Sequence, residues 1–121
     1  MNPVLALTQA VLETGWFRSW WAVEHHNYAG LWVSGAVRTS PPTSGYWVQQ
    51  GNRWIAGRSF ASVEEGVRTH LAVLHRYCQR QQTTVSAIGA VWARDPHYAA
   101  KWRAVIASIP AYTYHETVCS L

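Results

Sequence analysis

Six side-chain carboxylates occur in 121 residues: Glu13, Glu24, Glu64, Glu65, Asp95 and Glu116. Any acid–base chemistry must draw on these, so each is weighed by its position. Glu64 and Glu65 stand at the start of a helical run, where Ser62 and Glu65 have the spacing of a capping box and the helix dipole favours negative charge. Asp95 precedes Pro96 and reads as a helix cap. Glu116 falls in a C-terminal tail expected to fray. Glu24, between Trp21-Ala22-Val23 and His25-His26, suits an ion-pairing surface residue. Glu13 differs: helical spacing puts Ala6, Gln9 and Ala10 behind it and Trp16 and Phe17 ahead, with no cation in reach. Desolvation in such a place raises a carboxyl pKa, as general-acid cleavage of a glycosidic bond requires. A glutamate at a helix end that simply turns out to water is the plain alternative, and spacing alone leaves both open.

Other constellations carry less. His25-His26 and His70/His75 lack the spacing of metal ligands and read as surface or packing residues. Cys78 falls on an apolar row and reads as a core residue, with its pairing to Cys119 left open; two cysteines make neither a disulfide scaffold nor a zinc site. No metal or cofactor is expected. The eight tryptophans divide. Trp92 and Trp102 fall on inward helical rows. Trp16, Trp20, Trp21, Trp32, Trp47 and Trp54 gather around a loop and hairpin, where aromatic faces could stack on sugars or bases, or simply fill a small interior.

These residues must be held by a frame that the pattern predicts. A helix is expected over 3–13, capped by Asn2, with Val4, Leu7 and Val11 inward, Leu5 and Leu12 beside them, and Gly15 ending it. A short helix begins at Ser19. Gly51-Asn52 predicts a hairpin turn between strands near 46–50 and 53–57, with an earlier strand near 31–37. A long helix runs from Ser62 to about Arg80, with Val63, Val67, Leu71, Leu74 and Cys78 inward. Residues 84–93 place Val85, Ile88 and Trp92 on one face. A last helix starts at Asp95-Pro96 and ends near Ser108, with Trp102, Val105, Ile106 and Ile109 inward. The whole reads as one mainly helical α+β domain over 1–121 with a small β-lobe at about 31–58.

Composition excludes several classes. With 49% hydrophobic and 13% charged residues, the chain buries a core and is not a disordered segment. No apolar run reaches the length of a membrane span, so no membrane insertion is expected. The net charge of +4 is spread without a basic block, so nucleic acid is not the expected partner. Residues 3–12 are apolar, but no Lys or Arg precedes them as a secretory signal requires.

Four segments, in order, resemble a known family. TQAVLETGW is similar to the AQA-x-x-E-S-G-W signature of the glucosaminidase family of peptidoglycan hydrolases (glycoside hydrolase family seventy-three). HNYAGLW resembles its N-x-F-G-I-K element, FASVEEGVRTHLAVL its F-x-S-x-x-E helix, and VWARDPHYAAKW its Y-A-T-D-P-x-Y-A-x-K-L segment. The resemblance implies a lysozyme-like helical domain whose β-hairpin lobe faces a sugar-binding groove. It also implies cleavage of the β-1,4 bond after N-acetylglucosamine in bacterial peptidoglycan strands, by a monomer. Carried over by position, Glu13 is the general acid. Asn27, Tyr28 and Gly30 lie in the element beneath the groove, and Tyr98 matches the second Tyr of the last motif. Trp92 replaces the first Tyr, a departure that puts that hydroxyl's role in doubt. Trp32, Trp47 and Trp54 complete the expected substrate-binding set.

The family often has a helix before the catalytic one and a candidate second carboxylate in the β-lobe. Here Met1 falls at the start of the catalytic helix, and residues 28–59 contain no Asp or Glu. Either Glu24 or the substrate's own acetamido group is then expected to supply the second catalytic function. The alternatives are a lysozyme or lytic transglycosylase, and a non-catalytic cell-wall glycan-binding module. The implied place of action is the bacterial cell wall, reached as a phage lysin, as a tail-associated hydrolase, or by export within a larger assembly.

Overall fold

The computed structural model describes residues 1–110 and 112–120. Asn2 caps α1 (Pro3–Thr14), its Oδ1 accepting from the backbone N–H groups of Val4 and Leu5. Gly15 ends the helix in the left-handed region at φ 58°. Ser19 caps α2 (Trp20–His25). Strands β1 (Trp32–Arg38), β2 (Trp47–Gln50) and β3 (Arg53–Gly57) follow, then α3 (Val63–Gln79), α4 (Val85–Trp92) and α5 (Tyr98–Ala107). The expected α+β, mainly helical class is the observed one. Among the described residues, no helix is long and apolar enough to cross a membrane.

The strands form an antiparallel sheet in the order β1-β3-β2. Gln50 pairs with Arg53 across the Gly51-Asn52 turn. Paired residues share a sheet face, so this register puts Trp32, Val48, Gln50 and Ile55 on one face. Arg38, Trp47 and Trp54 lie on the other, where the Arg38 guanidinium sits 5.9 Å from the Trp47 ring centre.

The main core lies between α1, the C-terminal half of α3, α4 and α5. Trp102 is fully buried there, and its indole N–H reaches the Leu5 carbonyl and the Thr8 hydroxyl, both at 3.1 Å. Leu5, Leu74, Val85, Ile88 and Ile106 surround it.

Several sequence expectations need correction. In α1, Leu7 is 52% exposed, whereas Thr8, Gln9 and Thr14 are buried. The two threonine hydroxyls can go inside because they donate to backbone carbonyls one turn back. In α3 the inward row is Gly66, His70, Leu74 and Cys78, while Val63, Val67 and Leu71 are exposed. The displacement has a steric cause: a Cβ at Gly66 would run into the His26 carbonyl, so glycine lets α3 approach the chain just after α2. Val63, Val67 and Leu71 instead wall an open apolar groove of about 600 Å³ with Leu7, Phe17 and Val23. Glu65 returns its carboxylate to the Ala61 N–H, one residue before the cap.

The last helix begins at Tyr98 rather than at Asp95, whose Oδ1 accepts from the His97 N–H in the preceding turn. The tail does not fray at Glu116. Its carboxylate pairs with Arg103 at 2.9 Å and accepts the Ser86 N–H at the start of α4. Beyond it, Val118 is buried, receives the Asn2 N–H and donates to the Thr83 carbonyl. Cys78 is joined to Cys119 by a disulfide, with Cα atoms 6.3 Å apart.

Candidate active site

Glu13 lies in the last turn of α1, and its carboxyl meets the start of α5 and the end of α4. Oε1 accepts the Trp92 indole N–H at 2.7 Å and the Tyr98 hydroxyl at 2.7 Å. Oε2 faces Gly30, where a Cβ would stand only 2.9 Å away. Glycine is needed there twice, for that clearance and for a backbone φ of +62°. Burial raises the Glu13 pKa above its ordinary value, and the two hydrogen bonds from Tyr98 and Trp92 only partly oppose it. Both donors occupy Oε1, so the proton of the neutral acid belongs on Oε2, the oxygen turned toward Gly30.

Two hollows meet at Glu13. One, of about 180 Å³, is formed by Trp21, Gly30, Leu31, Trp32, Tyr46 and Val48. The other, of about 430 Å³, is bounded by Gly30, Trp32, Gln50, Val91, Trp92 and Arg94. Trp32, half exposed, borders both. Val48 and Gln50 share its sheet face, so a single face of the β-lobe looks across at the acid.

The residues expected at the site separate into three groups. Glu13, Gly30, Trp32, Trp92 and Tyr98 come together. Asn27 lies close behind them but is fully buried. Its Oδ1 accepts the Leu31 N–H, and its Nδ2 donates to the Leu31 and Arg58 carbonyls. It ties the Gly30 loop to the end of the sheet and presents no free polar group to the groove. Tyr28 is also buried, bonded to His26 and edge-on to Phe17, and borders the apolar groove instead of the Glu13 hollows.

Trp47 and Trp54 occupy the opposite sheet face and line neither hollow. Glu24 is exposed on α2 and likewise lines neither. Among the described residues, Glu13 is the one carboxylate bordering these hollows. The aromatic setting expected from Trp16 and Phe17 comes instead from Trp92 and Tyr98. Trp16 and Phe17 adopt left-handed backbone (φ 62° and 61°) and line neither hollow; Trp16 is half exposed, and Phe17 packs edge-on to Tyr28 at the apolar groove.

Tyr46, Val48, Gln50 and Arg94 border the hollows without having been singled out by sequence. For Val48 and Gln50 a signal existed: alternation back from the Gly51-Asn52 turn puts both on one face. Arg94 carried no such signal. Trp92 replaces a tyrosine of the motif, and its indole N–H supplies a donor to the acid there.

The family described as Glucosaminidase, mannosyl-glycoprotein endo-beta-N-acetylglucosaminidase, matches residues 1–110. The fold is similar to that of the catalytic domain of the autolysin Auto from Listeria monocytogenes. That match has a TM-score of 0.63 at 18% identity, covering 89% of this chain and 72% of the other. No curated protein matches the sequence.

Proposed function

The chain belongs to the glucosaminidase family, and from that premise we propose that it hydrolyses the β-1,4 bond after N-acetylglucosamine in bacterial peptidoglycan. The observation that carries the reading is the Glu13 carboxyl, whose pKa burial holds up and whose Oε2 faces the Gly30 loop between two hollows. In this reading a glycan strand crosses both hollows with one sugar against Trp32. Oε2 gives its proton to the leaving glycosidic oxygen as the C1–O bond breaks. The carboxylate left behind keeps the Trp92 and Tyr98 hydrogen bonds, which strengthen as negative charge develops.

No second carboxylate among the described residues borders the hollows, and Glu24 stands outside them on α2. We therefore assign the second function to the substrate. The acetamido carbonyl oxygen attacks C1, forming a cyclic oxazolinium. Water then adds to C1 and reopens the ring, and its proton returns to Glu13. Gln50 and Arg94 supply polar lining in the larger hollow for the sugar substituents.

Residues 1–121 act at the cell wall as one catalytic domain, monomeric, delivered as a phage lysin, on a phage tail, or by export within a larger assembly. The Cys78–Cys119 disulfide suits the oxidising conditions met there. Mass spectrometry of digested peptidoglycan tests the reading through the new chain ends. Reducing N-acetylglucosamine ends are expected. Reducing muramyl ends would indicate a lysozyme and anhydro-muramyl ends a transglycosylase. Binding without release would indicate a glycan-binding module.

A further inference from the structure

A third hollow, of about 230 Å³, opens beside the two at Glu13 and takes no part in the mechanism above. Gly30 and Trp32 border all three hollows, and Trp92 borders both this one and the larger of the Glu13 pair. Its far wall includes Leu31, Arg58 and, from α3, Arg76 and Tyr77. Two guanidinium groups therefore face one recess, and no acidic side chain borders it. Among the described residues, ion pairs are made by Arg68, Lys101 and Arg103, and by neither Arg58 nor Arg76. One helical turn either side of Arg76 stand Ala72, Val73, Gln79 and Arg80, so α3 offers it no carboxylate. Residues 25–63 contain no Asp or Glu, so the chain around Arg58 offers none either.

Arg58 is held in place by contacts that leave its donors free. Its backbone N–H donates to the Leu31 carbonyl, and its own carbonyl accepts from Asn27 Nδ2, each at 3.0 Å. The buried Asn27 thus fixes the chain just after β3, where Arg58 stands. The Arg58 guanidinium lies over the Phe60 ring, 5.1 Å from its centre, a contact that supports the group without using its N–H donors. Two unpaired like charges at the edge of one recess focus a positive potential into it. A carboxylate there would relieve their repulsion and receive charge-assisted hydrogen bonds, which the planar Arg fork can make in pairs.

We propose that this third hollow is a subsite for the peptide borne by the glycan strand, where Arg58 and Arg76 bind a carboxylate of that peptide. The proposal rests on the peptidoglycan reading above and adds the substituent that the enzyme selects. Peptidoglycan strands carry short acidic peptides on the lactyl ether of alternate sugars. With one sugar against Trp32, which borders all three hollows, a peptide leaving that sugar or its neighbour enters the third. Arg58 and Arg76 touch no reacting atom and act on specificity: strands bearing peptides with free carboxylates are preferred to naked strands and to strands whose peptide carboxylates are amidated.

The test is calorimetric binding of soluble peptidoglycan tetrasaccharides to the full chain carrying Glu13→Gln, which prevents turnover. Three probes are compared: one with acidic stem peptides, one with the same peptides amidated, and one without peptides. The acidic probe is expected to bind about tenfold more tightly than either of the others. Arg58→Gln or Arg76→Gln should each reduce that preference to about threefold, and the double variant should abolish it. Arg38→Gln makes the same charge change on the opposite sheet face and should leave the preference intact. Raising the ionic strength from about 0.05 to about 0.5 M should shrink it. Equal binding of the acidic and amidated probes would overturn the proposal, as would an equal loss from Arg38→Gln or an undiminished preference in the folded Arg76→Gln chain. Arg76 is exposed on α3, so that variant decides if Arg58→Gln fails to fold. The binding needs no catalysis. Cleavage by the wild type without a peptide preference would refute the subsite alone, whereas an arginine-dependent preference in a chain whose wild type cleaves nothing would refute the hydrolase reading alone.

Discussion

At Glu13, burial holds the carboxyl above its ordinary value against the pull of Tyr98 and Trp92, so the folded chain binds this proton more tightly than the unfolded chain does. Its contribution to stability is complete below the unfolded value and lost as pH rises through the folded one. Glu13→Gln removes that loss. The variant should melt at the wild-type temperature near pH 4 and above it at pH 8. His70 works in the opposite direction. With a folded pKa of about 4 against 6.5, it stabilises the fold above pH 6.5 and loses that contribution as pH falls toward 4. The full linkage is about 3 kcal/mol, and His70→Gln should flatten that acid limb. Thermal melts of the three chains across pH 4–8 read both signs at once. The acid itself could be singled out by scarcity, since helix-start spacing accounted for the two α3 glutamates and set Asp95 aside as a cap, although Asp95 in fact serves the turn before α5. The partners of Glu13 could not: Trp92 and Tyr98 lie 79 and 85 positions along the chain, beyond any local spacing.

The elements supply what the residues cannot. The β-lobe presents Trp32, Val48 and Gln50 on one face and Trp47 and Trp54 on the other, because the hairpin register fixes alternate side chains to opposite sides. Trp32→Ala should therefore lower kcat/KM on peptidoglycan about tenfold, as loss of a sugar-stacking ring would. Trp47→Ala should leave it within a factor of two and act, if at all, on stability. Equal losses from both would contradict the assignment of faces. Turn and cap residues made most elements legible: Asn2, Gly15, Ser62 and Gly51-Asn52 all mark the boundaries expected of them. The inward face of α3 was not legible. Apolar periodicity favoured Val63, Val67 and Leu71, but Gly66 admits close contact and His70 finds Gln9, and those two tertiary contacts outweigh the pattern.

At the scale of the whole molecule, the C-terminal segment closes the fold. Val118 receives the Asn2 N–H at the start of α1, Glu116 holds Arg103 and Ser86, and Cys119 is tied to Cys78 on α3. The disulfide closes a loop with a sequence separation of 41 residues, a constraint worth about 4 kcal/mol on the unfolded chain. Cys119→Ser, or reduction of the wild type, should lower stability by about that amount in denaturant melts. A change below about 1 kcal/mol would show that the tail is held without it. The wider claim is that α1, the β-lobe and α4–α5 converge on one acid that cleaves glycan strands without a second protein carboxylate. Digestion of purified peptidoglycan by the wild type and Glu13→Gln, with mass analysis of the new ends, tests that most directly. The account predicts reducing N-acetylglucosamine ends from the wild type and a loss of at least a thousandfold in the folded variant; comparable release by both would contradict it.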